Sequence, residues 1–289
     1  MFVSAPAFIV NTSSQTLAGP DGEEALARLR GSCATPLVGV FRDADPCKAA
    51  RAAIDHGADT VITLGGDGTA QAAAQAIHDS GTGARLVALP MGTANLLPRR
   101  LYGTRSSEEI LDAVCDLEPT TLPGGRLGGD VFLVAAAAGF PTLFARAREA
   151  VREPGRRHRF KTVMRRASNG FKEMFAPQIR FAADGAENET LSRASGLMMW
   201  VEEDADSFDV AAVSIHNLRE LAGAALGAIS EELRTDDRLL MREAREVSLS
   251  SRRSIPCMLD GEPRNCGREL SFKFEKSLIP ALRWPRGAD

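Results

Sequence analysis

The stretch Thr60–Ile77, TVITLGGDGTAQAAAQAI, constrains the fold of this chain more than any other. A β-branched run ends at Leu64, Gly65, Gly66, Asp67 and Gly68 follow, and an alanine-rich segment with helical character continues from Thr69. Strand, glycine turn and helix start coincide within a few residues, which is the corner of a βα unit. Backbone N–H groups at such a corner point outward at the positive end of a helix dipole, and the missing side chains let a phosphate approach. Thr69 is expected to cap the helix through its hydroxyl. The stretch is not a Walker A loop, because no lysine follows, and not GxGxxG, because Gln71 stands where the third glycine would be.

The same corner recurs along the first 120 or so residues. Short apolar runs (AFIVN, LVGVF, TVITL, RLVALP) alternate with helical patterns (GEEALARLR, CKAARAAIDHG, TAQAAAQAI, NLLPRRL). Such alternation predicts βαβ units around a mainly parallel, Rossmann-like sheet, with functional loops at the carboxyl ends of the strands. The pattern breaks at TTLPGGRLGGDVFL, where Pro123, Gly124, Gly125, Gly128 and Gly129 punctuate the chain. We therefore expect an α/β domain over residues 1–122 and a second, mostly antiparallel domain over 123–277. The strand-like segments of the latter are VFLVAAAAGF, QIRFAAD, SGLMMWVE, FDVAAVSIH, REVSLS, IPCMLDGE and ELSFKF, with one helical pattern, LRELAGAALGAISEEL.

A second phosphate-type turn lies about twenty residues after the first, in RLVALPMGTANLLPRRL. There the apolar run passes through Pro90, Gly92 and Thr93 into a helix that starts either at Thr93 or near Leu97, where Pro98 is tolerated in the first turn. Two such turns at one sheet edge can close on one nucleotide from two sides. No global field assists them: 35 basic and 38 acidic side chains leave a net charge of −3, which argues against nucleic acid as the partner. The five cysteines, Cys33, Cys47, Cys115, Cys257 and Cys266, show neither zinc spacing nor a disulfide framework, so a reducing cytoplasm is the expected setting. No apolar run is long enough to span a membrane, and MFVSAPAFIVN lacks a positively charged leader.

Gly65-Gly66-Asp67-Gly68-Thr69, then LPMGTAN from Leu89 to Asn95, then Leu259-Asp260-Gly261-Glu262 together resemble the diacylglycerol kinase catalytic-domain family. This family includes bacterial lipid kinases and the sphingosine and ceramide kinases; NAD kinases are more distant relatives. The resemblance implies an N-terminal α/β domain and a C-terminal β-sandwich, with the final strand, about 278–289, returning to the first domain. It implies ATP and Mg²⁺ as cofactors, a lipid as substrate, and phosphoryl transfer as the reaction. Carried over residue by residue, Gly65, Gly66, Asp67, Gly68, Thr69, Ala70 and Gln71 would hold the nucleotide phosphates, with Asn11, Thr93 and Asn95 beside them. Asp67 would share the Mg²⁺ or organise its water shell, and Glu262 would accept the proton of the lipid hydroxyl.

The chain departs from the family pattern in four places. Thr12 stands where the family has proline after Asn11, Leu96 where it often has aspartate after Asn95, and Leu122 or Pro123 where it has another aspartate. The family's structural Mg²⁺ turn has its nearest counterpart in Glu202–Asp209 with altered spacing, leaving Asp206 as a candidate ligand or part of a solvated acidic loop. Seven basic residues from Arg152 to Arg166 form either a membrane-docking face or a solvated helix face. The four histidines have no metal spacing. Two other readings stand beside the lipid kinase: an NAD kinase-like enzyme, and a nucleotide-binding protein of the same fold with little catalysis. The oligomeric state stays open, a dimer included.

Overall fold

The structure is a computed structural model that describes residues 3–12, 26–31, 33, 35–139, 179–184, 192–213, 239–264 and 266–285. The basic stretch Arg152–Arg166 and the helical pattern at 218–233 lie outside the described residues. The chain forms two compact units: Met1–Gly124 with Asp130–Val134 and Glu275–Asp289, and Gly125–Gly129 with Ala135–Phe274.

The first unit is α/β. Strands β1 (Pro6–Asn11), β2 (Gly39–Asp43), β3 (Thr60–Leu64) and β4 (Arg85–Ala88) pair in parallel in the order β2-β1-β3-β4. Helices α1 (Pro46–Asp55), α2 (Asp67–Ser80), α3 (Leu96–Tyr102) and α4 (Ser107–Asp112) connect and flank them. β1 and β3 are buried almost throughout, the continuous apolar reading expected of strands covered on both faces. Alanines carry much of the helix packing: Ala49, Ala50 and Ala53 of α1 and Ala70, Ala73, Ala74 and Ala76 of α2 are buried, so backbones approach closely.

Strand β5 (Glu118–Leu127) runs straight through the glycine-rich segment that the sequence suggested was a break. Gly124 is glycine there because a Cβ would press on Leu278 and on the Phe132 carbonyl, not because the chain turns. The run VFLVAAAAGF is likewise not one strand: β6 (Asp130–Phe132) ends, the chain bends at Leu133 and Val134, and β7 (Ala135–Gly139) begins. Asp59, just ahead of β3, accepts from the Ser4 and Ala5 amides and from the hydroxyls of Ser4 and Thr60, tying the approach to β1 to the approach to β3.

The second unit is antiparallel. Its six-stranded sheet has the order β12 (Leu239–Ala244), β11 (Phe208–Val213), β10 (Gly196–Trp200), β7, β14 (Cys257–Leu259), β15 (Glu262–Arg264). Strands β8 (Ile179–Ala183), β9 (Ser192–Ala194) and β13 (Glu246–Ser250) pair antiparallel with one another and with the start of β16 (Glu269–Arg283). Phe208 and Phe274 meet edge to face in this unit at 5.4 Å. β16 joins the strand expected at ELSFKF and the one expected from about residue 278 into one, and its later residues belong to the first unit, where Ala281 pairs in parallel with Leu86 of β4. Tyr102, the chain's one tyrosine, fastens that junction: its buried hydroxyl donates to the Leu282 carbonyl at 3.0 Å and accepts from the Ala88 amide at 3.4 Å.

Candidate active site

Helix α2 starts at Asp67, two residues before the expected start. Its N-cap is Gly66, in extended conformation, and no side chain caps it. Thr69 is not the cap: it sits in the third helical position, buried, with its amide bonded to the Gly66 carbonyl at 3.0 Å. The Thr69 hydroxyl instead receives Asn11 Nδ2 at 3.5 Å, joining the end of β1 to the start of α2. A side chain on Gly65 would collide with Thr69, which explains the first glycine of the motif. The amides that precede Thr69 have no acceptor within the helix, so the uncapped end of α2 presents donors suited to an anion.

The second turn meets the first backbone to backbone. A Cβ on Gly92 would stand 2.5 Å from Gly66 Cα, so neither turn could keep its position if Gly92 carried a side chain. Asn95 holds this turn closed: its Oδ1 accepts from the Gly92 amide at 2.7 Å and its Nδ2 donates to the Gly92 carbonyl at 2.9 Å. Asn95 is left-handed, with φ 51°, a conformation asparagine tolerates better than most residues. It is also the N-cap of α3, which begins at Leu96, so that Pro98 occupies the third helical position. Because the Asn95 side chain is folded back on Gly92, α3 is capped from outside: Asp67 Oδ1 accepts from the Leu97 amide at 3.1 Å. Thr93 is exposed at the crest of the turn.

Asn11, the GGDGT residues and MGTAN therefore come together in the first unit, at the carboxyl ends of β1, β3 and β4. Ala70 and Gln71 face inward. The Gln71 side chain donates to the Val131 carbonyl at 2.8 Å, and Gln75, one turn on, accepts from the Val131 amide at 2.8 Å. The two glutamines thus give β6 hydrogen bonds that a neighbouring strand would otherwise supply. Sequence reasoning missed Gln75; its four-residue spacing from Gln71 on one helix face was the available signal. Arg100 of α3 also holds this segment, donating to the Leu133 carbonyl at 3.2 Å.

Glu262 and Asp206 lie in the second unit. Asp260 and Gly261 both have positive φ, 48° and 90°, as the tight turn of a β14–β15 hairpin requires. Asp260 donates its amide to the Ala135 carbonyl and accepts the Ala135 amide on Oδ1, both at 2.8 Å. The Asp-Gly pair of LDGE is thus a hairpin turn, and what it presents is Glu262, exposed as the first residue of β15. Asp206 is exposed, and its carbonyl accepts Arg245 Nε at 2.9 Å. Among the described residues no three His, Cys, Asp or Glu side chains converge on a metal position, at Asp67 or at Asp206.

Residues 7–126, which contain both glycine turns, match the model of the family described as the diacylglycerol kinase catalytic domain. Over that segment the chain is similar to the diacylglycerol kinase catalytic domain. A stretch of 88 residues is 35% identical to a Pseudomonas fluorescens protein named "Probable lipid kinase YegS-like", covering 30% of this chain and 29% of that protein's length. A crystal structure of a diacylglycerol kinase from Bacillus anthracis str. Sterne matches with a TM-score of 0.67 over 98% of both chains at 14% identity. A "putative diacylglycerol kinase" from the same organism gives 0.70 over 98% of both chains at 15% identity. At such identities these structures attest the fold alone: a parallel-rich α/β sheet and a separate antiparallel sheet. No helix among the described residues is long and apolar enough to cross a membrane.

Proposed function

We propose that this protein is an ATP-dependent lipid kinase that transfers the γ-phosphoryl group to a hydroxyl of diacylglycerol or a related lipid. The observation that carries the reading is the backbone contact between Gly66 and Gly92 at the uncapped start of α2, inside the family-matched segment. A bare helix N-terminus with glycine walls fits a polyphosphate, since amides and not side chains then face the anion. The donor set also fits Mg²⁺, a cation that keeps most of its water and takes one or two carboxylates alongside substrate phosphates. Bound together, ATP would supply the phosphoryl group and Mg²⁺ would neutralise its charge.

In this reading the Gly66, Asp67 and Gly68 amides bind and orient the phosphates, and the exposed Thr93 hydroxyl adds a donor from the second turn. Asp67 faces the cation with a carboxylate already oriented by Leu97. Glu262 accepts the proton of the lipid hydroxyl, which requires hydrogen-bond reach of that oxygen during the reaction. Leu96, 52% exposed beside the second turn, puts no charge where many relatives have aspartate; this favours a nucleotide-binding protein with little catalysis as the second reading.

Labelled ATP incubated with Mg²⁺ and vesicles containing diacylglycerol or a sphingoid base decides between them. Labelled lipid with the native chain and none with Glu262→Ala is the expected result. Nucleotide binding with no labelled lipid would favour the binding protein, and labelled NADP formed from NAD would overturn the lipid reading.

A further inference from the structure

Across a chain whose charges nearly balance, three exposed arginines of the second unit stand together on two loops bonded to each other. Arg252 and Arg253 lie in the loop that leaves β13, and Arg268 in the loop that enters β16. The loops are clamped by the Ser251 amide on the Arg268 carbonyl at 2.9 Å, the Ile255 amide on the Gly267 carbonyl at 2.9 Å, and the Ser254 hydroxyl on the Cys266 carbonyl. Pairing of Ser250 with Glu269 closes their base, and the buried Ile255 anchors the first loop.

None of the three guanidinium groups is bonded to a carboxylate of the described residues. Like charges held close together repel one another, and an anionic partner relieves that cost. Glu269 is the exposed acidic neighbour, and it leaves the lobe with a positive surplus. Loops clamped to each other in this way lose little conformational freedom when their side chains meet an anion. The lobe is also tied to the hairpin that bears Glu262. Cys257 pairs with Arg264 at its open end and Leu259 with Glu262 beside its turn, so Arg264 and Glu262 lie on one face of β15, about 7 Å apart.

We propose that this arginine lobe, Arg252, Arg253 and Arg268 with Arg264 at its border, docks the second unit onto an anionic lipid surface. The chemistry recognised is a field of phosphate and carboxylate head groups: several monodentate or bidentate contacts spread over a plane, with no single pocket. Docking there brings the Glu262 hairpin to the bilayer surface, where a lipid hydroxyl is found. The proposal extends the lipid-kinase reading, but its test needs no phosphoryl transfer, so either can fail alone.

The test compares the full chain with the Arg252→Ser/Arg253→Ser/Arg268→Ser variant by co-sedimentation with phosphatidylcholine vesicles, with and without phosphatidylglycerol. The native chain is expected to prefer the anionic vesicles, the variant to bind them more weakly by about tenfold to a hundredfold, and added salt to bring the two together. An unchanged melting temperature of the variant assigns the loss to the surface and not to unfolding. Equal binding of the native chain to neutral and anionic vesicles, or an undiminished preference in the variant, would overturn the proposal. So would a variant that loses duplex DNA binding while keeping its vesicle binding.

Discussion

Asp67, the first residue of α2, caps α3 through its 3.1 Å bond to the Leu97 amide. The acidic residue inside a phosphate-type turn therefore has a structural duty that no phosphate has to share. It fixes the second glycine turn against the first, where Asn95 is folded back on Gly92 and unavailable to cap α3 itself. Asp67→Ala should cost about 1 kcal/mol of stability in urea unfolding, as the loss of an N-cap does, whereas Asp67→Asn should keep most of it. If the carboxylate also serves the cation, the Asn variant should still lose phosphoryl transfer on the order of a hundredfold. Equal transfer by Asn variant and native chain would confine Asp67 to capping.

Gly92→Ala places a methyl group against Gly66 Cα and forces the turns apart. We expect a loss of about 1–3 kcal/mol in stability, the usual cost of overpacking, together with weakened ATP binding in calorimetry. Gly129→Ala, where nothing lies within 4 Å of the added methyl group, is the matched control and should change stability by less than about 0.5 kcal/mol. Undisturbed ATP affinity in Gly92→Ala would argue that nucleotide does not use this corner.

Burial pushes the Tyr102 phenol well above its ordinary pKa, only partly countered by the Ala88 amide. A group raised in the folded state stabilises it below the unfolded pKa, about 10 for tyrosine, and that stability is lost as pH rises beyond it. Unfolding curves should accordingly show a decline above pH about 10 that is shallower in Tyr102→Phe. At neutral pH the same variant should be about 1–3 kcal/mol less stable, since the Ala88 amide and the Leu282 carbonyl lose a buried partner.

Asp59 behaves in the opposite sense. Burial disfavours its charge, but the combined donors of Ser4, Ala5 and Thr60 outweigh this and hold its pKa below the usual carboxylate value. Its stabilisation is present above the unfolded carboxylate pKa and disappears as pH falls through the lower, folded value. Asp59→Ala should narrow the gap between stability at pH 6 and at pH 3 measured by denaturant titration; an unchanged gap would show that other carboxylates control acid unfolding.

Glu262 and Asp260 should separate chemistry from architecture. Glu262→Gln alters an exposed side chain, so its stability should stay within about 0.5 kcal/mol of the native value while lipid phosphorylation is lost. Asp260→Ala removes the acceptor for the Ala135 amide and strains a left-handed position, and should destabilise the hairpin by about 1–2 kcal/mol with a smaller fall in turnover. Asp260→Asn, which keeps an acceptor and tolerates positive φ, should restore most of both.

The local corners of this protein were legible in its residues. Alternating apolar runs announced the parallel strands β1 to β4, because a strand covered on both faces must be apolar along its length, and TVITL followed by GGDGT located the start of α2 to within two residues. Strand-like segments in the second unit could be read one by one. What no local pattern carried was the use of those residues at a distance. Gly124 looked like a turn and proved to be a point where strands press together; Asn95, expected beside a nucleotide, closes its own loop on Gly92. Asp67 reaches thirty residues along the chain to cap Leu97, and Gln71 and Gln75 supply hydrogen bonds to Val131. Each of these depends on which backbone groups folding leaves without a partner, and that is decided only when segments remote in sequence become neighbours.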